Sequence, residues 1–94
     1  MSVDKGAILR CIEDNGYCRR GALGAVIQAE GAEIFGVMVV LPNRTIGRYA
    51  VTELARFFEM TGEYSEFARG YHYRSYLGVM RDIELDLFAP LKLR

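Results

Sequence analysis

Ninety-four residues, 51% hydrophobic and 26% charged, are enough for one folded domain spanning 1–94 and exclude a disordered tail. Twelve Lys and Arg balance twelve Asp and Glu, so no whole-molecule field draws in nucleic acid or an anionic membrane; such binding needs a local patch. The start of the chain lacks the basic and apolar regions of a signal peptide. The longest apolar run, 37–41, is too short to cross a bilayer, so a cytoplasmic protein with no membrane partner is expected.

Taken in chain order, residues 3–14 place Val3, Ala7, Ile8, Cys11 and Ile12 on one stripe at helical spacing. Asn15-Gly16 then supplies a stop, and an N-terminal helix is expected there. Cys11 and Cys18 stand close together in a chain with one histidine. Neither a zinc site nor a disulfide framework is indicated, and both read as packed thiols. In the next segment Leu23, Val26 and Ile27 also fit a helix. Against that, Arg19-Arg20 would meet the positive end of the helix dipole, Glu30 the negative end, and Gly21 and Gly24 would weaken the interior. A strand over 23–29 is therefore expected.

That strand turns at Glu30-Gly31 and returns through 33–41, a nearly continuous apolar run that suits a strand buried on both faces. Gly36 inside it marks a bulge or a close contact. Pro42-Asn43 fits the centre of a type I turn, and 44–49 completes a three-stranded antiparallel meander. Thr52 is placed to cap a second helix running to Met60, with Val51, Leu54, Phe57 and Phe58 on its apolar face. A third helix begins at Glu63. Beyond Gly70 the alternation of Tyr71, Tyr73, Ser75, Leu77 and Val79 fits a strand as well as a continued helix. Residues 82–87 alternate apolar and acidic side chains as a strand does, Pro90 ends it, and the amphipathic tail 91–94 is free to pair or fray. The fold class expected is α+β: an N-terminal helix, a three-stranded antiparallel meander, one or two helices and a C-terminal strand.

The chemistry is sparse. His72 is the one imidazole and lies far in sequence from both cysteines, so no nucleophile and base are placed together and no enzyme is expected. Asp82, Glu84 and Asp86 read as a solvated strand face, and no metal-binding or phosphate-loop spacing is met, so no cofactor and no metal are expected. What stands out is the polarised stretch 69–81, in which Arg69, Arg74 and Arg81 are interspersed with Tyr71, Tyr73 and Tyr76. Arginine supplies bidentate donors and tyrosine supplies contact area, the combination enriched at protein interfaces. Arg19, Arg20, Arg44 and Arg48 form a secondary basic patch.

These residues point to a small non-catalytic binding or regulatory protein, an inhibitor-type accessory protein for example. It would act through its Arg/Tyr surface on a partner protein with an acidic surface. The small size, with its limited core, points further to a homo-oligomer. The alternative is nucleic-acid or nucleotide binding by the same stretch, with tyrosines stacking on bases and arginines neutralising phosphate.

Overall fold

Where apolar residues face both ways along a segment, a strand buried on two sides wins over a helix. The computed structural model describes residues 3–41 and 45–70. Its first element is a strand, β1 (Ala7–Cys11). Ala7, Leu9 and Cys11 enter one core cluster, Ile8 enters a second on the opposite face, and Arg10 reaches solvent. This overturns the helix expected over 3–14. A helical stripe through Val3, Ala7, Ile8, Cys11 and Ile12 leaves Leu9 on the polar side, whereas strand pairing buries it completely.

The strand expected over 23–29 is β2 (Leu23–Gln28), but the return expected through 33–41 is extended only over β3 (Val37–Leu41), because Ala32–Phe35 form one helical turn, α1; β4 (Thr45–Tyr49) follows. Pro42-Asn43 and Arg44 lie outside the described residues. Helix α2 (Val51–Phe57) leads into β5 (Phe58–Tyr64), and a last short helix, α3 (Glu66–Gly70), follows. All pairings are antiparallel, and the strand order is β4-β3-β2-β1-β5. The expected combination of an N-terminal helix with a three-stranded meander is thus replaced by a five-stranded antiparallel sheet with short helices. The strand expected over 82–87 and the tail 91–94 lie outside the described residues.

The helix boundaries differ for the same physical reason. Ala50 precedes α2, with its N–H donated to the Glu53 carboxylate at 3.3 Å, and Thr52 lies inside the first turn where a cap was expected. The helix stops at Phe57, short of Met60, because Phe58 pairs with Cys11 and Met60 with Leu9. A ladder to a central strand satisfies backbone groups that local helix propensity alone would have kept within the helix. The third helix starts later than Glu63 for the same reason, since Glu63 and Tyr64 belong to β5. The buried Ser65 hydroxyl accepts the Ala68 N–H at 3.1 Å and opens α3.

Two edge strands that a flat sheet would hold about 19 Å apart, at roughly 4.8 Å per strand, meet in the core. The rings of Tyr49 on β4 and Phe58 on β5 pack edge to face at 5.0 Å. The sheet is therefore strongly curled, and its concave face holds Leu9, Val26, Val39, Leu41, Tyr49 and Phe58 beneath Leu54 of α2. Gly24 makes the curl possible, since a Cβ there would lie 2.6 Å from Val39 Cγ1 and 2.9 Å from Leu41 Cδ2. On the other face Ile8, Ala25, Ile27, Met38 and Val40 cluster with Ala68 of α3.

The loop joining β1 to β2 is held by Asn15, which sequence alone presented as a helix stop. Its Oδ1 accepts the Tyr49 hydroxyl at 2.8 Å and the Tyr17 N–H at 3.0 Å. Its Nδ2 donates to the Glu13 carbonyl at 3.1 Å and reaches Cys11 Sγ at 3.6 Å and Cys18 Sγ at 3.7 Å. Tyr17 then stacks edge to face on Tyr49 at 5.3 Å. One amide thereby fastens the loop to the far edge of the sheet. Among the described residues no helix is long and apolar enough to cross a membrane.

Candidate functional site

The feature of the surface that burial does not account for lies beside α1. This helix is a single turn bracketed by Gly31 and Gly36 at φ 71° and 78°, and none of its residues is buried. Gly36 presses on the end of β4, where a Cβ would lie 2.9 Å from the Tyr49 carbonyl oxygen. Only glycine combines that approach with a left-handed backbone. The tight exit leaves Ile34 81% and Phe35 61% exposed. Single exposed apolar residues are ordinary; here two large ones stand side by side on the rim of a concavity.

The concavity is an open cleft of about 600 Å³ between α1, Arg48 on β4 and residues 50–52 at the start of α2. Glu33 and Arg48 are its charged lining residues. Arg48 projects from the same face of β4 as Ile46, the alternation of a strand that leaves Gly47 and Tyr49 inside. Among the described residues Arg10 pairs with Glu59 at 3.6 Å, Arg56 with Glu13 at 2.9 Å and Arg69 with Glu66 at 3.9 Å, whereas Arg48 has no ion pair. Among the described residues the cleft therefore offers an apolar rim and one guanidinium without an ion pair.

The residues singled out from the sequence are distributed differently. Arg69 lies on α3, its guanidinium 4.9 Å from the Tyr64 ring centroid and near Glu66, so it is engaged within its own chain. Tyr71, Tyr73, Arg74, Tyr76 and Arg81 lie outside the described residues, as do His72 and Arg44. Arg19 and Arg20 are exposed in the loop before β2, where the Arg20 N–H is donated to Asp14 Oδ1 at 2.7 Å. Arg19-Arg20, Arg48 and Arg69 stand on three separate elements, and no hydrogen bond or ion pair links them among the described residues.

Ile34 and Phe35 were missed because they open an apolar run that reads as the first half of a buried strand. The signal that could have revealed them is the pair Gly31 and Gly36, which brackets one helical turn. The cysteines are free and buried, as expected of packed thiols. Burial, with the Cys18 thiol beside it, pushes the Cys11 thiol up to about 11, and burial also raises Tyr49 above the ordinary tyrosine range. Among the described residues no group of three or more His, Cys, Asp or Glu is placed to hold a metal ion. Comparison with models of known families, with curated proteins and with solved structures finds no match for this chain.

Proposed function

We propose that the chain is a small non-catalytic binding protein that docks a partner protein in the cleft beside α1. The observation that carries this reading is the exposure of Ile34 and Phe35 next to Arg48, which has no ion pair among the described residues. The occupant that fits is an acidic segment of a partner protein bearing apolar side chains. Its apolar groups cover the rim, and a carboxylate meets Arg48 in a charge-assisted hydrogen bond. This keeps the acidic partner read from the sequence and moves the contact from the stretch 69–81 to Arg48. A regulatory or inhibitory role follows from the mechanism, since a protein that acts by covering a partner's acidic segment works by steric and electrostatic occlusion.

Selection of a displayed random-peptide library on the folded protein tests the reading. Enriched peptides should combine acidic and apolar residues. Their affinity should fall by at least about tenfold in Phe35→Ser and in Arg48→Glu, as expected for residues at an interface centre. Enrichment indifferent to both substitutions, or no enrichment, overturns it. Self-association that is lost in Phe35→Ser would assign the cleft to a second copy, and salt-sensitive binding of a single-stranded oligonucleotide lost in Arg48→Glu would assign it to nucleic acid; either result replaces the acidic partner.

A further inference from the structure

We propose that Cys11 and Cys18 are a redox pair that closes reversibly to an intramolecular disulfide. Neither cysteine lines the cleft beside α1. Cys11 ends β1 and Cys18 belongs to the following loop, and both are buried, at 1% and 6% exposure. The loop doubles back on itself, with the Gly21 N–H donated to the Cys11 carbonyl at 2.8 Å and the Asn15 N–H to the Cys18 carbonyl at 3.0 Å. That folding brings both sulfurs to a single amide nitrogen, Asn15 Nδ2, at 3.6 and 3.7 Å. A packing role for two thiols does not require a shared donor. A donor between two sulfurs stabilises whichever one carries negative charge while exchange proceeds. The Tyr49 hydroxyl, 3.9 Å from Cys18 Sγ, adds a second polar contact from another strand.

The oxidant is a low-molecular-weight disulfide such as glutathione disulfide. One protein thiolate attacks a sulfur of it, the glutathione disulfide bond breaks, and one glutathione thiolate leaves. The second protein thiolate then attacks the protein sulfur of the mixed disulfide, forming the Cys11–Cys18 bond and expelling the second glutathione thiolate. The two protons lost by the cysteines go to the two leaving thiolates. The protein sulfurs are oxidised by two electrons and the glutathione disulfide is reduced. Because burial keeps Cys11 protonated, the equilibrium and not the rate is the informative quantity.

The folded chain, and in parallel the same chain in concentrated urea, is equilibrated in mixtures of glutathione and glutathione disulfide. Free thiols are then alkylated and the products weighed. If the fold presents the two sulfurs to each other, half-oxidation in the folded chain requires a glutathione-disulfide fraction at least about tenfold lower than in urea, a tenfold gain in the exchange equilibrium constant. The product is the monomer lighter by two hydrogens with no adduct. Cys11→Ser and Cys18→Ser instead stop at the thiol or at one glutathione adduct. A midpoint equal to or more oxidising than that in urea, adducts persisting in the parent chain, or a disulfide between chains overturns the proposal.

Discussion

At the scale of single residues the structure turns on side chains whose role depends on what lies far away in sequence. Gly24 is such a position. Its missing Cβ makes room for Val39, Leu41 and the Val40 carbonyl, all within 3.1 Å of where a Cβ would stand. Gly24→Ala should therefore destabilise the protein by about 1–3 kcal/mol through overpacking, measured as a lowered urea midpoint with an unchanged slope. Gly16→Ala, in a loop position with nothing within 4 Å, should stay within about 0.5 kcal/mol. Equal effects at the two sites would show that the curl does not depend on Gly24. Arg48 was legible in the sequence as a basic residue on one face of a strand. Ile34 and Phe35 were not, because exposure is a property of the turn that presents them and not of their type.

At the scale of elements, the extended state of β2, β3 and β4 follows from residues that have no better local alternative. Valine-rich, β-branched runs broken by glycine and proline favour extended pairing. The first segment was ambiguous, since Val3, Ala7, Ile8, Cys11 and Ile12 satisfy a helical stripe while Ala7, Leu9 and Cys11 satisfy a strand. Pairing on both sides, to β2 and to β5, decided it. The same pairing shortened α2. Hydrogen exchange should display the resulting hierarchy. The amide of Leu9, on a strand flanked by two others, is expected to exchange at least roughly a thousandfold more slowly than those of Ile34 and Phe35 on a single unburied turn. Comparable rates would contradict the central position of β1.

At the scale of the whole molecule, balanced charge leaves no self-repulsion near neutrality, and pH dependence at the alkaline side falls to buried groups. Cys11 is surrounded by Cys18, Tyr49 and the nearby Asp14, and its pKa rises from 9.0 to about 11 through burial first and the Cys18 thiol second. Below pH 9 the folded and unfolded chains both hold this proton and stability does not respond to it. Between about 9 and 11 the unfolded chain releases it while the folded chain retains it, so stability falls as pH rises through that window. Tyr49 is shifted in the same direction and extends the loss above the ordinary tyrosine range. The urea midpoint should drop across this interval, and the drop should be shallower in Cys11→Ser. A midpoint independent of pH there would mean that Cys11 is not sealed from water.

The alternation and composition of the chain by themselves pointed to extended structure within 23–28, 37–41 and 45–49 and to the placement of Arg19, Arg20 and Arg48 in solvent. Each rests on interactions between near neighbours or on polarity alone. Only the tertiary structure decided that 7–11 is a strand, that Phe58 leaves its helix to pair with Cys11, that Asn15 gathers two thiols and a tyrosine from a distant strand, and that Ile34 and Phe35 face outward beside Arg48. Apart from those of Asn15 with the two thiols, the partners in those contacts lie on separate segments more than ten residues apart, and the free energy of pairing and burial is gained only once the sheet has curled and closed.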